Sequence, residues 1–335
     1  MNTNGNDHHP DQGGNGHGKI DVNGSGGYAF IVGHRKSGST WLLNMMSLHP
    51  DIRGLMETNL FHLGWNESDP QRRTERLFSQ TPWSEGGTRH LVKHHLQRIA
   101  APFLKSRKPA LALRKEERPA TLPDLGLRDQ MQLRRSLRRI SPAGEYVRMF
   151  FDFQKERLHP RGYLLEKSPR NVHNADRIQE NFPGAKMILI YRDGRDVVTS
   201  DQFFTRDHQG QAFSFGEAVS SWKRDMEAHL RCAQRYPVFA CGYERLLSDG
   251  STVAKELFQF LGLRHEDALI NDLIERSSFR FYAGRDRGQE DRKRFYRKGV
   301  AGDWKNHFTD EDRRAFKAIA GDLLIELGYE KDLSW

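Results

Sequence analysis

The stretch YAFIVGHRKSGSTWLL, residues 28 to 43, admits few folds. Its apolar run from Tyr28 to Val32 reads as a buried strand, which breaks into a loop of Gly, Lys and Ser before Ser39 and Thr40 open a helix. Backbone N–H groups at a helix start, joined by a lysine and hydroxyls, form an anion cradle through geometry and dipole.

The same alternation continues along the chain. HPDIRGLME predicts a short strand ending at Glu57, and further strands are expected at Tyr163 to Leu165, 187 to 191 and 238 to 241. Helices are expected at 39–48, 171–182, 215–236, 251–261 and 310–327, and helical segments dominate 71 to 158 between Pro and Gly breaks. Within 215–236, Ala218, Trp222, Met226 and Leu230 fall on one face. Strands alternating with helices predict an α/β fold: a central parallel sheet flanked by helices, with ligands beyond the carboxyl ends of the strands.

Three segments carry chemistry. In the first loop Lys36 precedes Gly38, whereas the GxxxxGK[ST] loop of nucleoside triphosphate enzymes has its lysine after the second glycine. The loop instead resembles the KSGTTWL phosphosulfate loop of sulfotransferases, which move a sulfuryl group from 3′-phosphoadenosine 5′-phosphosulfate (PAPS). ILIYRDGRDVVTS, 188 to 200, resembles that family's 3′-phosphate element, with Arg192 closing a strand and Ser200 about two helical turns further on. FYRKGVAGDWKNHFT, 295 to 309, resembles the RKGxxGDWKNxFT signature of cytosolic-type sulfotransferases.

The resemblance implies a P-loop-like sulfotransferase fold with a helical insertion at about 60–160 on the acceptor side. It implies that Arg35, Lys36, Ser37, Gly38, Ser39, Thr40 and Trp41 hold the phosphosulfate end, and that Arg192, Ser200, Arg297, Lys298 and Gly299 hold the 3′-phosphate. Trp41, Tyr243 and Phe279 would flank adenine, with Ser277 as a polar contact. Lys36 would stabilise the leaving oxygen and Lys167 would face the sulfuryl oxygens.

The general base departs from the cytosolic pattern. A KTHLP-like segment is replaced by EKSPRN, so Pro169 stands in the histidine position. EKSP resembles the heparan-type and tyrosylprotein-type branches, whose base is a Glu in a stretch like HPDIxxxxE, and this points to Glu57. A Glu with a pKa near about 4.3 is ionised at neutral pH and able to accept a proton. His62 and His173 are alternative bases. No metal is implied.

Composition adds bounds. The first 26 residues, rich in Gly, Asn, His and Asp, offer almost nothing apolar and are expected to be disordered, leaving 27–335 as the catalytic domain. No apolar run approaches a membrane span, and two cysteines, Cys232 and Cys241, suit a reducing compartment, so a cytoplasmic enzyme is expected. Net charge is +9, and between Lys105 and Arg139 eleven basic side chains face four acidic ones. That segment is a solvated helical insertion or a surface that draws in an anionic acceptor. The acceptor is a small molecule, glycan or lipid; no nucleic acid is expected, and a homodimer is admitted. Two rival functions stay open: a P-loop small-molecule or nucleoside kinase, and a basic polyanion-binding module.

Overall fold

The computed structural model describes residues 26–79, 113–208, 213–291 and 296–335. The leader expected at 1–26 therefore lies almost wholly outside the described residues, as do part of the helical insertion and Lys105, Arg107 and Lys108 of the basic segment.

Five strands form one parallel sheet: β1 (Gly27–Gly33), β2 (Ile52–Met56), β3 (Tyr163–Lys167), β4 (Lys186–Tyr191) and β5 (Val238–Gly242), in the order β2-β3-β1-β4-β5. In register, Ile31 of the central strand lies between Lys167 and Ile188. The inner strands β1 and β4 are almost continuous apolar runs because both of their faces are covered, as parallel sheets require. Phe30, Val32, Leu164, Met187 and Leu189 point into one core, and Ala29, Ile31, Leu165, Ile188 and Ile190 into the other.

The helices are α1 (Ser39–Ser47), α2 (Leu60–Asn66), α3 (Pro70–Ser79), α4 (Leu127–Leu137), α5 (Ala143–Leu158), α6 (Ala175–Asn181), α7 (Gly194–His208), α8 (Phe215–Arg235), α9 (Tyr243–Ser248), α10 (Gly250–Phe260), α11 (Asp267–Arg276), α12 (Phe279–Ala283) and α13 (Asp310–Glu326). Helices α2 to α6 cover the first face, with Phe61 and Phe151 packed on Phe30 and Phe150 on Phe151, and α1, α10 and α11 cover the second. A third core joins α7, α8 and α13 around Trp222 and Phe316. Ala218, Trp222 and Met226 are buried there and Leu230 is half-buried, as the helical spacing predicts. The insertion is stitched to the sheet where Ala120 pairs with the edge strand, donating to Gly54 O at 2.7 Å and accepting from Met56 N at 2.9 Å.

Two boundaries differ from the sequence reading. The expected helix at 171–182 is a 3-10 segment, Pro169–Asn174, followed by α6, because Asn171 turns its side chain back onto buried Glu166. Helix α13 is kinked at Ala320, where Lys223 Nζ takes the carbonyl of Ile319 at 2.9 Å and disturbs the ladder. Both cysteines are free and buried, and among the described residues no helix is long and apolar enough to cross a membrane.

Candidate active site

At the carboxyl edge of the sheet, every strand is followed at once by a residue singled out from the sequence or by the loop that carries it. The loop 34–38 follows β1, Glu57 follows β2, Lys167 ends β3, Arg192 follows β4 and Tyr243 follows β5. An open cleft there spans about 910 Å³, part of it open to solvent. Its lining includes Lys36, Gly38, Ser39, Thr40, Trp41, Arg192, Ser200, Tyr243, Ser277, Phe279, Arg297, Lys298 and Gly299.

The loop is shaped for close approach. Lys36 and Gly38 both take left-handed conformations, with φ of 65° and 90°, and a Cβ at Gly38 would lie 2.6 Å from the Tyr243 ring. The Lys36 ammonium sits over the Phe204 ring, 3.2 Å from its centroid. Burial pushes its pKa down to about 7; Asp201 and Glu57 pull it up, and Arg35 and Lys167 push it further down. Ser37 Oγ is buried with no hydrogen-bond partner among the described residues.

Opposite the loop stands a second group of cations. Arg192 donates to Lys36 O at 3.2 Å and Val300 O at 2.9 Å, and its guanidinium stacks on Tyr243 at 4.4 Å. Arg297 donates to Glu290 and Asp303, each at 2.6 Å, and Lys298 donates to Asp303 at 2.5 Å. Burial pushes the Asp303 carboxyl up, but Lys298, Arg297 and Asn306 together hold it well below the usual range. Asp196, in the first turn of α7, accepts from Gly302 N at 2.7 Å and Trp304 N at 2.9 Å, so the 297–304 segment is tied to the turn that carries Arg192.

Aromatic rings close the far end. Trp41 and Tyr243 meet edge to face at 5.9 Å, and Phe279 meets Tyr296 at 6.3 Å. Gly299 has φ of 68°, and a Cβ there would lie 2.5 Å from the Phe279 ring.

Behind Thr40 lies an ion pair. Lys167, wholly buried, donates to Thr40 Oγ1 at 3.2 Å and to Glu57 Oε1. Neither Glu57 nor Lys167 lines the cleft itself; they adjoin it through Thr40. Arg35 also lies outside the lining, paired with Asp201 and stacked at 5.4 Å over Phe213, as does Ser37. His173 is bound to Asp225 at 2.7 Å, while His62 is exposed on α2 beside Asn66; neither lines the cleft.

A family model described as "Sulfotransferase family" matches residues 29–267, well over half of the chain. The chain belongs to the sulfotransferase family. The match ends before the 297–304 segment, which is tied to the site through the contacts of Asp196. Among curated relatives, 3-beta-hydroxysteroid sulfotransferase of Cavia porcellus is 28% identical over 156 residues, covering 40% of this chain and 54% of the relative. The chain thus spans about half the length of the curated relatives it matches. Two solved structures share the sulfotransferase fold. The sulfotransferase domain of the Synechococcus PCC 7002 olefin synthase has a TM-score of 0.53 at 18% identity, covering 90% of this chain and 97% of that one. Mouse sulfotransferase SULT7A1 complexed with PAP has a TM-score of 0.50 at 15% identity, covering 91% and 87%.

Some lining residues of this sulfotransferase-family cleft carried no signal on their own. Tyr296 stands next to the Arg297 motif, and Tyr282 and Arg287 lie just after Phe279; an aromatic or basic residue beside a motif is a usable hint. Leu247 and Val300 had none. The described part of the basic segment is partly engaged locally: Arg134 stacks on Phe78 at 4.3 Å and Arg138 lies 3.7 Å from Glu75.

Proposed function

We propose that the protein transfers a sulfuryl group from PAPS to a hydroxyl or amine of an acceptor. The observation that carries this reading is a single cleft joining a phosphate loop, a second cation cluster and an aromatic slot, with the Glu57–Lys167 pair directly behind it. The residues fit such a group. Ser37 Oγ and Arg192 Nε are buried with no hydrogen-bond partner among the described residues, and Gly38 and Gly299 let the backbone approach the Tyr243 and Phe279 rings more closely than a Cβ would allow. PAPS, when bound, supplies the activated sulfuryl group and its leaving phosphate.

In this reading residues Arg35 to Trp41 hold the phosphosulfate end, and Lys36 stabilises the charge that develops on the leaving oxygen. Arg192, Ser200, Arg297, Lys298 and Gly299 hold the 3′-phosphate. Trp41, Tyr243 and Phe279 flank the adenine, with Ser277 as a polar contact. Lys167 faces the sulfuryl oxygens and Glu57 accepts the proton of the acceptor. Alignment and charge stabilisation do most of the work, as in phosphoryl transfer. The site is thus a hybrid, with a cytosolic-type 3′-phosphate motif and a glutamate on the acceptor side, to which the insertion at about 60–160 is assigned. The hydroxysteroid relative supports a hydroxyl acceptor of small-molecule size. Mass spectrometry after incubation with labelled PAPS and a metabolite extract distinguishes it from a glycan or lipid.

The nucleotide assignment has a direct test. 3′-Phosphoadenosine 5′-phosphate is expected to raise the melting temperature far more than 5′-AMP or ATP, since a hundredfold excess over Kd adds about 2.7 kcal/mol. Equal shifts for AMP and the bisphosphate would sink it, and a larger shift for ATP with Mg²⁺ would favour a kinase. Arg192→Ala is expected to weaken bisphosphate binding by about 1.5 to 3 kcal/mol, the scale of a charged hydrogen bond.

Lys36 adds a pH dependence. Its ammonium loses its proton near about 7 in the ligand-free protein. An anion laid against it favours the protonated form, so binding takes up a proton above that pH and affinity falls as pH rises. Between pH 7 and 9 the affinity for the bisphosphate is expected to drop by up to about tenfold per unit, while the phosphate's own second ionisation near about 6 lies below this window. Calorimetry of wild type beside Lys36→Met checks it, and identical slopes in the two would contradict the assignment.

A further inference from the structure

Residues 57 to 59 follow an uncommon path. Glu57 and Asn59 both adopt left-handed conformations, at φ of 33° and 50°, which non-glycine residues hold only where their surroundings fix them. Three consecutive N–H groups show what fixes them. Glu57 N donates to Lys167 O at 2.8 Å, Thr58 N to Glu166 Oε1 at 3.0 Å, and Asn59 N to Ser168 Oγ at 3.1 Å. Glu166 is the centre of this lattice. Wholly buried, it also accepts from Thr58 Oγ1 at 2.9 Å, Ser168 Oγ at 2.5 Å and, through Oε2, Asn171 Nδ2 at 3.1 Å. Four groups able to donate, two of them hydroxyls, surround the two oxygens of this one side chain. On balance its pKa is raised: burial pushes it up, and the hydrogen bonds from Ser168 and Thr58, with the charge of Lys167, offset only part of that. Glu166 does not line the cleft, so its reach to the chemistry is indirect.

We propose that Glu166 is a positioning residue: it holds residues 57 to 59 in the path that sets the Glu57 carboxylate against Lys167. The proposal rests on the roles given above to Glu57 and Lys167, and its test includes a readout that needs no turnover. In Glu166→Ala, amide hydrogen exchange across 57–59 is expected to rise at least about tenfold, because the hydrogen bond that closes Thr58 N is gone. Turnover is expected to fall by about 10²-fold, the scale of a misplaced catalytic group, with the affinity for 3′-phosphoadenosine 5′-phosphate within about threefold of wild type. Glu166→Gln keeps the Oε1 acceptor, and Asn171 can turn its amide to meet the new NH₂, so slow exchange and most of the turnover are expected to return.

Unchanged exchange at 57–59 in the Ala variant overturns the proposal. So does a Gln variant as slow as the Ala variant, which would assign the effect to charge, or a parallel loss of bisphosphate affinity. If Glu166→Ala does not fold, Ser168→Ala removes only the bond to Asn59 N and one donor to Glu166. The same pattern in smaller measure supports the proposal there, and unchanged exchange refutes it. Wild-type protein that binds the bisphosphate poorly and transfers no sulfuryl group would defeat the functional reading, while exchange would still decide the role of Glu166 in holding the segment.

Discussion

Glu57→Gln is expected to leave bisphosphate binding and folding in place while removing turnover by about 10² to 10⁴-fold, or roughly 3 to 5.5 kcal/mol of barrier. Gln keeps the shape of Glu and still offers Lys167 a carbonyl oxygen, so the contact behind Thr40 survives in neutral form. What disappears is the proton acceptor. The assay needs an aliphatic alcohol or sugar hydroxyl, since an acidic phenol is partly ionised beforehand and asks less of a base. A Gln variant near the wild-type kcat decides against Glu57, most of all if His173→Ala is inactive. That outcome would be surprising on the geometry, because His173 is already engaged by Asp225 at 2.7 Å.

Lys36→Ala comes next in size. If Lys36 meets the oxygen that gains charge as the sulfur–oxygen bond breaks, its loss is felt more in kcat than in cofactor affinity, because only interactions stronger in the transition state speed the chemical step. A loss of about 10²- to 10³-fold in kcat is expected, on the scale of deleting one donor from a preorganised anion site. Single-turnover kinetics at saturating PAPS, beside calorimetry of the bisphosphate, separate the two effects. Weakened binding with unchanged single-turnover rate would make Lys36 a simple anchor. The left-handed backbone at Lys36 gives the comparison a control, since Lys36→Gly relieves the conformation and removes the ammonium together.

The part of the cleft proposed for the nucleotide was legible as a set of residues brought together, because it is built from short contiguous motifs. Residues 36 to 41 and 297 to 299 each occupy one turn or helix start, Arg192 with Ser200 spans a strand end and the first two turns of α7, and a parallel sheet delivers such segments to one edge. The aromatic slot was legible in part. Trp41, Tyr243 and Phe279 stood beside recognisable motifs, whereas the roles of Tyr282 and Tyr296 as lining depend on how residues after Phe279 and before Arg297 fold toward each other. Periodicity carries no information about such meetings.

The acceptor side was harder. A carboxylate after HPDI can be found by pattern, but its pairing with Lys167, 110 residues away, is a property of neighbouring strands β2 and β3. Glu166 was invisible for a related reason. In the sequence it looks like one more charged residue at a strand end, and only its donors reveal a buried hub. The 3-10 segment after Pro169 escaped a propensity reading because it is imposed by Asn171 bonding to that same carboxylate.

The pairing of Arg297 and Lys298 with Asp303 bears on how the nucleotide comes and goes. With Glu290 included, two cations face two carboxylates before any ligand arrives, so this end of the cleft exerts little pull at a distance. A 3′-phosphate must earn its place at contact, by displacing or sharing partners that are already satisfied. The reverse step gains correspondingly. In the reading proposed above, departure of the spent nucleotide would let Asp303 recapture both cations, so that a buried carboxylate and two cations would not be left without counterions. If the proposed function holds, such an arrangement would trade equilibrium affinity for rapid exchange of the product, which suits a donor and spent donor that differ only in the group transferred.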